Sequence, residues 1–206
     1  MKALIIANGT QPPLTIVRPI AQSADLIICA DGGANHALKM NIKPHIIIGD
    51  FDSILASTKV YYSNIPQIID PDQESTDLEK TITYCVTRKV VSVDIVGATG
   101  DRLDHTTGTL GCFKKFGEQI TLRLVDSIGA LTLIRSSLTL QTKMREKLSL
   151  IPLEKCTGIT TVNMKYELHD DILELGFREG ISNEAIAEEV SISVKTGTLL
   201  LYRFHA

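Results

Sequence analysis

The stretch Ile46-Ile47-Ile48-Gly49-Asp50-Phe51-Asp52-Ser53 decides the reading of this chain. An apolar run too short for a helix ends in a glycine, and two aspartates one residue apart follow. In extended backbone, residues i and i+2 point to the same side, so Asp50 and Asp52 can present two carboxylates to one point beyond a buried strand. Like charges held that close repel one another, and the arrangement calls for a cation or a shared proton. Mg2+ is the simplest candidate, a hard ion commonly held by one or two carboxylates plus substrate phosphates. A solvated loop with two surface acids is the alternative.

The same grammar extends in both directions. Apolar runs at 2–7, 26–30, 45–48, 67–69, 90–96 and 120–125 alternate with helical segments at 15–23, 34–40, 55–62, 77–88 and 104–116. Strands alternating with helices predict a parallel α/β sheet, here Rossmann-like. The helix at 77–88 has a start signal: Ser75 or Thr76 as cap, then Asp77 and Glu79 in the first turn. In such sheets ligands bind beyond the carboxyl ends of the strands. Polar and glycine-rich residues gather there repeatedly, at Asn8-Gly9, Asp31-Gly32-Gly33, Gly49 to Ser53, Asp70 to Asp77 and Gly97 to Asp104.

After about Asp126 the pattern changes. Short runs at 130–134, 138–141, 147–153, 157–165, 171–175, 190–194 and 198–204 are separated by turn signals, and several alternate apolar with polar residues. They predict an antiparallel β-sandwich. The expected organisation is an α/β domain over 1–126 and a β-sandwich domain over 127–206. Residues 184–189 read as a helical turn or a loop.

Bulk properties narrow the function classes. With 206 residues, 44% hydrophobic and 22% charged, the chain can bury a core. A net charge of −3 lacks the basic footprint of nucleic-acid binding. No apolar stretch approaches the roughly 18 residues of a membrane span, and Asn8-Gly9 ends the first one too early for a signal peptide. Cys29, Cys85, Cys112 and Cys156 have no CxxC spacing and read as buried reduced thiols. A cytoplasmic protein without nucleic-acid or membrane partners is expected.

Three further constellations could carry chemistry. Asp31-Gly32-Gly33-Ala34-Asn35 joins a strand to a helix. Its glycines allow close backbone approach, and Asp31 suits a metal, a water or a ribose hydroxyl; a tight turn with Asp31 as helix cap is the structural alternative. The run from Asp72 through Gln73 and Thr76 to Asp77 concentrates carboxylates at a helix start, where Asp77 could be a third metal ligand or simply part of a favourable cap. In Gly97 to Asp104, Arg102 can grip a phosphate by a forked pair of hydrogen bonds, and Asp104 can bind substrate or accept a proton. A surface Arg–Asp pair explains the same residues without chemistry. Acids outnumber the one evident cation, which fits a magnesium nucleotide and fits a lone anionic substrate poorly.

Taken in order, these motifs resemble those of thiamine pyrophosphokinases, and Gly176 to Glu184 is similar to that family's thiamine-binding stretch. The resemblance spans nearly the whole chain. It implies transfer of the pyrophosphoryl unit of ATP to the hydroxyethyl oxygen of thiamine, with thiamine diphosphate and AMP as products. It further implies Mg2+ as cofactor and a homodimer with thiamine near the subunit interface. Asp50, Asp52 and Asp77 match the metal-binding acids. Asp31, Gly32, Gly33, Gln73, Thr76, Gly97 and Arg102 match the ATP site, with Asp52, Asp77, Arg102 and Asp104 as catalytic residues. Glu179, Ser182 and Asn183 match the thiamine side. Family members often carry an aromatic residue where Glu179 stands; this chain has no Trp, and the nearest tyrosine is Tyr166. Two other readings compete: a haloacid-dehalogenase-like phosphatase built on the Asp-x-Asp, and a non-catalytic nucleotide or thiamine sensor.

Overall fold

Strand β1 (Lys2–Ile6) shows why the first half reads as apolar runs: Ala3, Leu4, Ile5 and Ile6 are all at 0% exposure. A strand covered on both faces has no polar side to alternate with. Chain order continues as α1 (Leu14–Ser23), β2 (Leu26–Ala30), α2 (Gly33–Lys39), β3 (Ile46–Gly49), α3 (Ala56–Tyr61), β4 (Gln67–Ile69), α4 (Asp77–Thr87), β5 (Ser92–Val96), α5 (Leu103–Phe116) and β6 (Thr121–Val125). The computed structural model describes residues 1–205, and its contacts divide the chain into Met1–Ser127 and the remainder from Ile128.

In the first unit the strands run parallel in the order β6-β5-β1-β2-β3-β4. The chain winds outward from β1 to β4, then returns to the other side of β1 with β5. That reversal makes β1 and β5 a topological switch point, where an open α/β sheet leaves a crevice at its carboxyl edge. Helices cover the faces by buried stripes, as with Thr109, Cys112, Phe113 and Phe116 of α5 at helical spacing.

The second unit comprises β7 (Gly129–Ile134), β8 (Ser137–Gln141), β9 (Lys147–Pro152), β10 (Cys156–Val162), β11 (Asp171–Leu173), β12 (Gly180–Glu184), β13 (Glu189–Ser193) and β14 (Leu199–Phe204). Two antiparallel layers form, β12-β9-β14-β7 and β11-β10-β13-β8. They share one core, to which Leu148, Leu150, Leu199 and Leu201 contribute from one layer and Ile159, Leu173, Val190 and Ile192 from the other. This is the expected sandwich.

One strand differs from the sequence expectation. β12 lies inside the stretch assigned to ligand binding, and its residues do not alternate. The cause is a bulge: Gly180 pairs with Leu150 but Asn183 with Leu148, and Ser182 takes φ +59°. An inserted residue breaks the period-two pattern by which strands are recognised. Over 184–189 there is no helix; Ala185 instead makes an isolated bridge to Met164.

Candidate active site

Three acids from three different elements meet at the carboxyl edge of the first unit. Asp31 follows β2, Asp50 follows β3, and Asp77 opens α4. One carboxylate oxygen from each lies within 4.8 Å of the others. Asp31 is only 3% exposed, with φ +41°. Its amide donates to the Ile48 carbonyl at 2.8 Å, and its Oδ2 accepts from the Ser53 amide at 3.2 Å. Its Oδ1 is buried and has no hydrogen-bond partner among the described residues. Burial raises the Asp31 carboxyl above its ordinary value, against the pull of backbone hydrogen bonds. Burial, then the charge of Asp31, does the same to Asp77, whereas the Asp52 amide bonded to Asp50 holds that carboxyl low. Gly49 makes the convergence possible: at φ +155°, a Cβ there would stand 2.7 Å from Asp31 Cβ and 3.1 Å from Asp77 Oδ1.

The triad differs from the expected set. Asp52 is not part of it. The extended geometry that would align Asp50 with Asp52 ends at Gly49, because Phe51 takes φ +68° and turns the chain. Asp52 is exposed and accepts from the Ser53 hydroxyl at 2.7 Å. Asp31 stands with the acids instead, and the reading of it as helix cap is also corrected: the α2 N-cap is Gly32, with no side-chain cap.

A buried cation accompanies the triad, and sequence reasoning missed it. The Lys80 side chain is 3% exposed; its Nζ donates to the Asp70 carbonyl at 2.8 Å and lies 3.5 Å from Asp77 Oδ1. The only sequence signal was its spacing of one helical turn from Asp77 on α4. Thr76 is the N-cap of that helix in a full capping box with Glu79, so its hydroxyl serves the helix.

Across the switch point, the loop after β1 is laced to the loop after β5. Gly9 donates to the Gly97 carbonyl at 2.6 Å and Thr10 to the Thr99 carbonyl at 3.0 Å. Asn8, Gly9, Thr99 and Asp101, which lie in the polar segments expected at the strand ends but were given no individual role, join Asp31, Asp50, Gln73, Thr76, Asp77, Lys80, Gly97 and Arg102 around a cleft of about 470 Å³. Gly32 and Gly33 are not on its wall. They permit close packing behind it, since a Cβ on Gly33 would lie 1.9 Å from the Ile6 carbonyl oxygen. Arg102 reaches the cleft while its guanidinium pairs with Asp104, Nε donating to Oδ1 at 3.1 Å. Those hydrogen bonds hold the Asp104 carboxyl down at about 2.

In the second unit, Asn183 is buried and fully engaged: Oδ1 accepts from the Tyr166 amide at 3.1 Å and from the Glu184 amide at 2.8 Å, and Nδ2 donates to the Tyr166 carbonyl at 2.7 Å. Its side chain therefore fixes the loop that displays the Tyr166 ring, which is 63% exposed. Ser182 is exposed on the bulge, its amide bonded to Ser149 Oγ at 2.9 Å. Glu179 is exposed and accepts from the Gly176 amide at 2.7 Å.

Residues 17–124 match the family described as thiamin pyrophosphokinase, catalytic domain, and residues 135–199 match thiamin pyrophosphokinase, vitamin B1 binding domain. The chain belongs to the thiamin pyrophosphokinase family. Among its relatives, thiamin pyrophosphokinase 1 of Caenorhabditis elegans is 30% identical over 190 residues, which cover 85% of this chain and 76% of that protein. The thiamine pyrophosphokinase of Bacillus subtilis is 26% identical over 97% of this chain and 96% of its own length. The crystal structure of the Bacillus subtilis protein superposes with a TM-score of 0.87 at 24% identity, covering 99% of each chain, and confirms the fold. Membership makes this chain an enzyme that forms thiamine diphosphate from thiamine, with ATP as co-substrate in the family. The phosphatase and sensor readings find no support among these relatives.

Proposed function

We propose that the cleft of the first unit holds Mg·ATP over the Asp31, Asp50 and Asp77 triad, and that the second unit recognises thiamine. The observation that carries this reading is the buried, unpartnered Oδ1 of Asp31 beside two further carboxylates. A buried anion with an unmatched lone pair is costly unless a cation joins it, and three hard oxygen donors suit Mg2+. Held there, the ion would neutralise polyphosphate charge. Gln73, Thr76 and the backbone at Gly97 would line the nucleotide path, and Arg102 would hold phosphate oxygens as its pairing with Asp104 loosens. Lys80 supplies a fixed positive charge beside Asp77. The thiamine hydroxyl oxygen forms its bond to the β-phosphorus as the bond from that phosphorus to the AMP oxygen breaks, and the hydroxyl proton passes to a base. Asp104, released as Arg102 turns to phosphate, or one of the triad acids can serve as that base. Asp52 lies at the edge of the acidic group and joins it only if the loop rearranges.

On the thiamine side, Tyr166 supplies an aromatic face that Glu179 cannot. Lys165 Nζ lies 5.6 Å from the Tyr166 ring centroid, so a cation already sits over this ring, and a thiazolium would take its place as Lys165 swings away. Asn183 shapes the loop that carries Tyr166, and Ser182 and Glu179 would supply polar contacts to the substrate. Exposed Leu175, Phe177 and Ile181 support a homodimer formed through the second unit, checked by sedimentation equilibrium. Four buried free thiols suit the cytoplasm, and among the described residues no helix is long and apolar enough to cross a membrane.

Thiamine-dependent AMP formation tests the triad. Asp50→Asn and Asp77→Asn are each expected to lose on the order of a hundredfold in kcat/KM with unchanged circular dichroism. Turnover within a few-fold of wild type in either variant would remove that residue from the site.

A further inference from the structure

Asn35 lies on α2, four residues beyond Asp31, and its side-chain amide makes two hydrogen bonds to the segment that carries Asp50. Nδ2 donates to the Ser53 carbonyl at 2.9 Å, and Oδ1 accepts from the Leu55 amide at 3.0 Å. The Ser53 amide in turn donates to Asp31 Oδ2 at 3.2 Å. Ser53 is thereby gripped at its N–H by Asp31 and at its carbonyl by Asn35. The segment depends on such ties, because β3 ends at Gly49 and Phe51 adopts φ +68°. A second tie comes from α3, whose Lys59 Nζ donates to the Phe51 carbonyl at 2.7 Å.

We infer that Asn35 is a positioning residue for the triad: its clasp on Ser53 and Leu55 keeps the Ser53 amide on Asp31 Oδ2, which sets the carboxylate plane of Asp31 and the placement of Asp50 three residues upstream. Asn35 does not line the cleft, so it acts through the loop. An amide suits this place because one planar group donates and accepts together. Aspartate, of nearly the same shape, could still accept from Leu55 but would set an oxygen against the Ser53 carbonyl. Ligand-orienting groups of this kind typically carry 10–100-fold in metal affinity.

The inference rests on the metal reading above, and Mn2+ binding to the full chain without substrates tests both. Free Mn2+ is measured by electron paramagnetic resonance for wild type, Asn35→Asp, Asn35→Ala and Asp50→Asn, with far-ultraviolet circular dichroism on the same samples. The Asn35 variants are expected to bind Mn2+ about 10–100-fold more weakly than wild type. The aspartate variant is decisive, because an added negative charge beside three acids would by itself tighten cation binding. Unchanged or tighter binding by folded Asn35→Asp, alongside weakened binding by Asp50→Asn, overturns the positioning role and leaves the metal reading standing. Failure of the wild type to bind Mn2+ overturns both. Should Asn35→Asp not fold, Asn35→Ala decides by the same criterion.

Discussion

Asp31 combines burial, a left-handed backbone and an unpartnered oxygen in one residue. Its folded-state pKa, like that of Asp77, is raised above the unfolded value. The sign follows directly: these groups contribute stability below the ordinary carboxylate range, and it is lost as pH rises through the raised folded values. In EDTA, Asp31→Asn is therefore expected to melt above wild type at pH 7, with the gap closing toward pH 4. A variant that melts below wild type at pH 7 would contradict the argument from burial of the charged carboxylate. Lys80→Met should lower stability by about 1–3 kcal/mol in urea titrations, because it strips the Asp70 carbonyl of its donor and Asp77 of its cation. At this scale the sequence identified Asp50 and Asp77 as candidate metal ligands. It placed Asp52 beside Asp50 by assuming extended backbone, and a single positive φ at Phe51 undid that assumption. Lys80 could not be singled out, since burial of a lysine depends on what packs over it.

At the level of elements, α4 does two jobs with one turn, presenting Asp77 at its start and Lys80 on the buried side of the next residues. Its capping box is a local signal that was visible as Thr76 with Glu79 three residues on. Thr76→Ala is expected to cost about 1 kcal/mol of unfolding free energy, and a change below a few tenths would deny the cap its role. The βα turn at Gly32-Gly33 is set by packing: Gly33→Ala should destabilise by about 3 kcal/mol, as the added methyl meets a backbone carbonyl that cannot turn aside. Short apolar runs bounded by turn residues were legible, as the match of Leu26–Ala30 and Gln67–Ile69 to their expected bounds illustrates. β12 was not, because its bulge removes the alternation that identifies a strand.

For the whole molecule, the proposed division of labour between units has a kinetic consequence. If the second unit recognises thiamine through Tyr166, then Tyr166→Ala should raise the KM for thiamine by roughly tenfold, the value of a cation over an aromatic face, and leave the KM for ATP unchanged. Equal effects on both substrates in steady-state kinetics would argue that Tyr166 acts through stability alone.

The order of strands and helices and the change from α/β to β pattern were present in the one-dimensional text, because burial on two faces and burial on one face leave different periodicities; the family was present in the order of its motifs. Only the tertiary structure decided which acids lie together. Asp31, Asp50 and Asp77 are separated in sequence and come together because parallel strands end at one edge of the sheet and a helix begins there. The choice between Asp31 and Asp52 turned on backbone angles at Asp31, Gly49 and Phe51, which depend on how neighbouring loops hydrogen-bond and not on residue type alone.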